Sequence, residues 1–277
     1  DLESPGYYFL ATDTPNMLRW LAAQAQQMGA EIRTSSVFRS AVRTEHGVVV
    51  NDRVQTRYLI GADGPSSTVA RAVGLGRTTR TLFGVEYEYD GLTLEHPNHL
   101  HCFIDRKLAP GYIGWVLQGV NGVQAGLAQR VYGTTAAVMP AMEAFLRKTE
   151  DLFGLCTITP SSIRAGHIPC GGTVKRSASQ RVLLVGDAAG MVSPVTAGGI
   201  HTALFHGQAS GHAVADFLEG AKPDPATWLT GTYPAYRAKK VLRFVYDVAP
   251  SNFAFNMLLG TTALRAAAKL VYFHSAK

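Results

Sequence analysis

Two aspartates, Asp63 and Asp187, each follow a short apolar run and precede a glycine-containing turn in this 277-residue sequence. Val182 to Val185 has the length and β-branched content of a strand buried on both faces, and Gly186-Asp187 ends it. A carboxylate at the carboxyl end of a parallel strand projects into the crevice where open α/β sheets bind ligands. There it accepts hydrogen bonds from ligand hydroxyls. Pro194 to Gly199 then reads as a stiff, side-chain-poor turn, in which Gly198 and Gly199 leave room for a flat group to approach the backbone. Ile200, Ala203, Leu204, Ala209 and Ala213 follow at helical spacing and place Gly198, Gly199 and Ile200 at a helix N-terminus. The N–H groups and positive dipole end of that terminus favour a developing anion.

The earlier aspartate sits in a similar frame. Tyr58-Leu59-Ile60 reads as a strand that runs into Gly61-Ala62-Asp63-Gly64-Pro65-Ser66-Ser67, followed by Arg71. Asp63 can reach a ligand hydroxyl or a pyrophosphate-bound water, and Ser67 with the following amides can meet a phosphate. The same residues also suit a plain Asp63-Gly64 turn with Ser66 or Ser67 capping a helix.

The run Gly186-Asp187-Ala188-Ala189-Gly190, Pro194 and Gly198-Gly199-Ile200 resembles the second flavin motif of FAD-dependent enzymes with the para-hydroxybenzoate hydroxylase type of fold. Within them it is most similar to the geranylgeranyl reductase family. The resemblance implies that Asp187 holds the ribityl chain of FAD, with the Pro194 to Gly199 turn along the isoalloxazine ring. Residues 61–71 resemble the preceding GADGxxSxxxR motif and add Asp63, Gly64 and Ser67 as cofactor contacts. Ala70 stands where the family pattern commonly has a basic residue, and Arg71 keeps the charge one step on.

The implied fold class is α/β: a split, Rossmann-like FAD-binding domain around an inserted, mainly antiparallel substrate sheet, with helices at the C-terminal end. The corresponding segments are 1–76 and 173–219 for the FAD domain, 77–172 for the sheet and 220–277 for the helices. The family's opening GxGxxG unit is not in the sequence. The expectation is a chain that lacks this N-terminal unit, as a fragment or by loss of a gene's start, with an exposed apolar sheet edge and weak FAD retention.

Within these segments, Tyr7 to Ala11 reads as a strand, followed by a helix capped by Thr14, with Leu18, Leu21, Ala22, Ala25 and Met28 on one face. Glu31–Val42, Val48–Val50 and Val54–Ile60 read as strands, as do Phe83–Tyr89, Leu100–Ile104, Gly111–Leu117 and Val123–Gln129. Val138 to Lys148 reads as a helix, Thr230 to Tyr246 as a basic amphipathic one and Phe253 to Tyr272 as an apolar one. Gly111-Tyr112-Ile113-Gly114-Trp115 resembles the glycine-tyrosine-x-tryptophan stretch of geranylgeranyl reductases, with one extra residue before the tryptophan. Tyr112 and Trp115 are thus substrate-contact candidates, core packing being the other reading.

Composition narrows the rest. A hydrophobic fraction of 47% with 17% charged residues describes an ordinary globular chain and excludes disorder. The net charge of +6 suits an anionic ligand, a dinucleotide or an acidic membrane surface. The lysines and arginines are scattered, without a nucleic-acid-binding signature. Cys102, Cys156 and Cys170 fit neither a disulfide framework nor a zinc site, and His96, His99 and His101 do not make a metal centre with them. With no signal peptide and no membrane-spanning apolar run, the expected location is cytoplasmic, with peripheral membrane contact through the C-terminal helices as a further expectation.

The function implied is that of an FAD-dependent oxidoreductase reducing double bonds of an isoprenoid or other lipid-like substrate, with NAD(P)H as electron donor. A flavin monooxygenase acting on an aromatic or polyketide-like substrate shares the fold, and a non-catalytic remnant binding an apolar ligand or partner is the alternative of another class. No side chain stands out as a catalytic acid or base.

Overall fold

The computed structural model describes residues 2–3, 6, 8–131, 135–248, 261, 266 and 269. In chain order the elements are α1 (Thr14–Gln27), β1 (Ala41–Arg43), β2 (Val48–Val50), β3 (Val54–Thr56), β4 (Leu59–Gly61) and α2 (Thr68–Ala72). Then come β5 (Thr81–Asp90), β6 (Leu100–Phe103), β7 (Gly114–Gln118), β8 (Gly122–Arg130), α3 (Val138–Lys148) and α4 (Glu150–Phe153). The chain continues with β9 (Ser162–Pro169), β10 (Ala178–Ser179), β11 (Val182–Leu184), α5 (Ile200–Leu218) and α6 (Arg237–Val248). The fold is mixed α/β, and the chain divides into two compact units.

One unit comprises residues 1–36, 83–166 and 250–277. Its centre is a sheet of strand order β6-β7-β8-β5-β9, antiparallel where β6, β7 and β8 pair. Val85, Tyr87 and Tyr89 recur at period two along β5 and are buried with Val116, Leu127, Met142 and Phe145, so α3 packs on that face of the sheet. Gly114 admits the helix closely, because a Cβ there would lie 2.7 Å from the Phe145 ring. Ahead of the sheet, α1 is capped by Asp13 rather than Thr14: the Asn16 N–H donates to Asp13 Oδ1 at 3.1 Å. The apolar residues expected to form its inner face are not buried, and Leu18 and Met28 are exposed.

The other unit comprises residues 37–82 and 167–249. It holds a meander β1-β2-β3 and a second sheet in which β11 lies between β10 and β4, parallel to β4 and antiparallel to β10. Val182, Leu183 and Leu184 are wholly buried, as a strand covered on both faces must be. Val69 and Ala70 of α2 join the same core, together with Ala213 of α5.

Several expected strands differ. Tyr8 to Ala11 carries no strand, and the region from Glu31 to Val42 is irregular until β1 begins at Ala41. Val54 to Ile60 is broken into β3 and β4, and the Arg237 start of α6 falls after Pro234, which lacks the N–H a helix interior needs. The apolar segment expected to be helical at 253–272 lies outside the described residues except for single positions.

One residue far from any expected site ties the second unit together. Asp224 accepts from the Tyr58 hydroxyl at 2.9 Å, from the Ala226 N–H at 2.9 Å and from the Arg181 N–H at 3.0 Å. It joins the start of β4 to the turn before β11 and to the segment after α5. Replacing it by alanine strips three donors of their acceptor, and unfolding in denaturant should show a loss of about 3 kcal/mol.

Candidate functional site

The two aspartates leave the same end of two hydrogen-bonded strands. Leu59, Ile60 and Gly61 of β4 pair in parallel with Val182, Leu183 and Leu184 of β11, and the Val185 N–H extends the ladder to the Gly61 carbonyl at 3.0 Å. Asp63 follows β4 and Asp187 follows β11, at the carboxyl edge where such sheets bind ligands. Gly61 is required there by packing: a Cβ would lie 2.8 Å from Leu184 and 2.9 Å from Val69.

The two carboxylates differ in what they meet. Asp63 accepts from the Ser67 hydroxyl at 2.6 Å and from the N–H groups of Thr68 and Val69 at 2.7 and 3.0 Å. Ser67 Oγ in turn accepts from the Ala70 N–H at 2.9 Å, so Asp63 and Ser67 together cap α2. Gly64 at φ +81° supplies the left-handed turn that lets Asp63 reach back to the helix. Asp63 thus first holds the shape of its own loop, and a ligand hydroxyl would use the acceptor capacity that remains.

Asp187 is half-buried, and no protein group is hydrogen-bonded or ion-paired to its carboxylate among the described residues. Burial alone pushes its pKa above the usual carboxylate range. It lies in a short 3₁₀ turn, Gly186–Ala189, opened by Gly186 at φ +56°. A desolvated acceptor without a partner is unfavourable by itself and suits hydroxyl donors brought by a ligand.

The turn that follows is built to keep side chains away from Asp187. The Ser193 N–H donates to the Gly198 carbonyl at 3.0 Å, and Ser193 Oγ accepts from the Thr196 N–H at 3.3 Å, closing a compact loop in which Pro194 is buried. A Cβ on Gly199 would lie 2.8 Å from Val192 and 3.5 Å from Asp187 Oδ1, so only glycine fits there. At Gly198 the neighbouring chain would tolerate a Cβ, with Thr196 at an ordinary 3.6 Å, and the residue is exposed. The space over Gly198 is therefore open to a flat group. Gly199 is the N-cap of the 19-residue α5 and offers no side chain to its first turn, leaving the N–H groups from Ile200 onward to a ligand. Ser193 had no role in the sequence reading. Its signal, a serine three residues before Thr196 in a Pro-containing turn, is common to many loops.

These features fit FAD: an unmatched acceptor for ribityl hydroxyls, an open glycine backbone for the ring, and a positive helix end beside it. Asp63, Gly64, Ser67, Gly186, Asp187, Pro194, Gly198, Gly199 and Ile200 all fall on the two loops and the helix start at this edge.

Further along α5, His206 is buried against Tyr233 with ring centroids 5.2 Å apart, while His201 and His212 are exposed. Burial, and secondarily His201, holds the His206 pKa below its ordinary value. The folded state thus favours the neutral ring, and the stability that goes with it is present above the unfolded pKa and lost as pH falls through about 6.5 towards the folded value. The melting temperature should drop by a few degrees between pH 7.5 and 5.5, and by less in a His206→Gln variant.

In the other unit, Trp115 stands on the face of the sheet turned away from α3, since its neighbours Gly114 and Val116 face that helix. Its indole N–H donates to Glu86 Oε2 at 2.9 Å, and the Tyr112 ring meets it edge-on at 6.4 Å. Arg164 bridges Glu86, at 3.3 Å, and Glu88, which also accepts from Gln124 at 2.8 Å. Burial raises the Glu86 pKa despite the indole and Arg164. The extra residue before Trp115 therefore does not put the ring into the α3 core. It places it in a polar network on the opposite face, through contacts that strand spacing does not encode. The His96 ring meets His99 edge-on at 5.5 Å and His99 stacks on His101 at 6.0 Å, and among the described residues no group of His, Cys, Asp and Glu is arranged to hold a metal. No helix among them is long and apolar enough to cross a membrane.

Comparisons with known proteins bear on the chain as a whole. The chain is 29% identical over 216 residues to digeranylgeranylglycerophospholipid reductase 2 of Methanopyrus kandleri, covering 73% of this chain and 54% of that protein. It is 30% identical over 214 residues to reductase 1 of the same organism, covering 73% and 56%. The chain thus spans about half the length of these curated relatives. In structure it superposes on a geranylgeranyl bacteriochlorophyll reductase-like protein of Thermoplasma acidophilum with a TM-score of 0.77 at 17% identity, covering 93% of this chain and 72% of the other. An anhydrotetracycline hydroxylase of Streptomyces rimosus superposes with a TM-score of 0.57 at 19% identity, covering 94% and 56%. These two likenesses establish the fold. Residues 1–245, which include both aspartate loops and the start of α5, match the family model described as FAD binding domain, and the chain belongs to that family.

Proposed function

We propose that the protein acts as an FAD-dependent oxidoreductase that reduces double bonds of an isoprenoid or other lipid-like substrate, with NAD(P)H as the electron donor. The observation that carries the reading is the half-buried Asp187 carboxylate, without a protein partner among the described residues, beside a start of α5 whose N-cap is a glycine. The reductase names of the two Methanopyrus relatives support the substrate class.

When bound, the flavin supplies hydride or electron transfer. Asp187 accepts hydroxyls of the ribityl chain, and Asp63 holds the α2 loop in place while offering its remaining acceptor capacity. Gly198 and Gly199 would leave room for the ring, and the first N–H groups of α5 would favour negative charge on it. Pro194 and the Ser193 loop hold that backbone rigid, so the donors need no rearrangement when charge develops. Tyr112 and Trp115 offer an aromatic surface for an apolar substrate.

The test is anaerobic incubation of the FAD-loaded protein with a chemical reductant and a geranylgeranyl lipid. A saturated product identified by mass supports the reading. Oxygen consumption with a hydroxylated product, the chemistry named for the hydroxylase neighbour, would replace it with a monooxygenase. Absence of flavin binding would leave a ligand-binding module.

A further inference from the structure

Among its described side chains, helix α6 is inside out. Arg243 is 3% exposed and pairs at 2.6 Å with Asp247, one turn on, while Val241 is 66% and Phe244 58% exposed. Leu242 is exposed as well, and Arg237 and Lys240 are exposed beside them, the end of the Lys240 side chain passing over Gly172. At 100° per residue, Arg237, Val241 and Phe244 share one stripe, with Lys240 at its border and Ala238 and Leu242 on the other flank. Lys239 and Arg243 fall on the opposite side, and Asp247, beside Lys240 in angle, is 11% exposed and turned back to Arg243. An ordinary surface helix has the reverse arrangement. Asp247 is the only acid in the helix, and it is turned inward. The outward face is therefore both apolar and cationic.

That combination distinguishes α6 from the other exposed apolar stretch in its unit. The Ile200, Leu204 and Phe205 side of α5 has no Lys or Arg near it along the helix. We infer that α6 is a docking surface for an anionic lipid surface, lying in the interface plane with Val241 and Phe244 in the acyl boundary and Arg237 and Lys240 among the headgroups. Charge complementarity selects this occupant. A symmetric contact with a second copy would gather Arg237 and Lys240 of both chains at one interface with no exposed acid of the helix to offset them, and like charges brought together at an interface oppose association. The excess of basic residues, +6 over the chain, acts in the same direction at longer range. This inference does not depend on the flavin reading: a protein that binds no FAD can still dock, and one that binds FAD can fail to.

The experiment is co-sedimentation of the full chain with vesicles of phosphatidylglycerol or of phosphatidylcholine, at low and at higher salt. Binding to phosphatidylglycerol alone, weakening as salt is raised, is expected. Arg237→Glu should reduce it about tenfold, and the double change Val241→Glu with Phe244→Glu should abolish it. Leu152→Glu, at an exposed apolar position of α4, should leave it unchanged. Equal binding to both lipids, or undiminished binding by the double variant, would overturn the inference. So would a dimer on sizing chromatography that Phe244→Glu dissolves, because the face would then belong to a second copy. The lipid and salt dependence of the unaltered protein decides the matter even if a variant folds poorly.

Discussion

Asp187→Asn is expected to weaken FAD binding by roughly ten- to hundredfold, the loss that follows when charged hydrogen bonds worth about 1.5–3 kcal/mol become neutral ones. The same change should raise the melting temperature of the protein without flavin. The sign follows from burial. The folded pKa of Asp187 is raised, so the folded state binds its proton more tightly than the unfolded state does, and the associated stability is lost as pH rises through the folded value. At neutral pH the chain therefore carries the cost of a desolvated carboxylate with no protein partner among the described residues. The asparagine removes that cost, for a gain of about 1 kcal/mol, or ~2–4 °C. Opposite shifts in ligand affinity and stability are the signature of a residue kept for a ligand. A purely structural aspartate would lose stability on replacement.

Gly126→Ala should be the most damaging single methyl group in the other unit. Its Cβ would lie 2.5 Å from the Trp115 ring and 2.8 Å from the Val85 carbonyl. The ring must move, because the carbonyl belongs to β5, an interior strand held between β8 and β9. Moving it breaks the indole donation to Glu86 and leaves that carboxylate buried with Arg164 as its remaining counter-charge. Strain of about 1–3 kcal/mol and a lost hydrogen bond of ~1 kcal/mol together give a loss of about 3 kcal/mol. The tryptophan fluorescence maximum should move to the red as the ring enters water, and the melting temperature should fall by about 10 °C. Unchanged fluorescence would show that the ring does not need the glycine.

The parts of the fold that could be read in sequence are those whose signals are local. Val138 to Lys148 is a helix with its expected limits because its apolar residues repeat at one helical face, which α3 buries on the sheet. The start of α5 after Gly199 was legible for a related reason, since packing admits no Cβ between Val192 and Asp187. Glu31 to Val42 failed as a strand because Ile32 and Val37 carry β-branched propensity without finding a ladder. A strand is completed by its partner, and propensity alone does not supply one.

The site shows the same division. Asp187 and Asp63 were identified by their place at strand ends, but their different roles rest on hydrogen bonds that spacing does not encode: among the described residues three donors meet Asp63, and none meets the Asp187 carboxylate. Thr14 looked like the cap of α1 while Asp13, one residue earlier, does the capping, a choice decided by side-chain reach. The network around Trp115 was beyond local reading because Arg164 lies 76 residues from Glu88 and meets it only through the pairing of β5 with β9. The inverted face of α6 was equally hidden, since a basic amphipathic pattern does not say which side is turned to solvent.

The central claim is that the common carboxyl edge of β4 and β11 holds FAD through Asp187. Equilibrium titration of FAD into the protein, followed by the perturbation of the flavin's visible absorption bands, tests it most directly when run beside Asp187→Asn. Saturable binding by the unaltered chain, weakened at least tenfold in the variant, is the expected result. Equal binding by both proteins, or no perturbation of the bands with either, would contradict it.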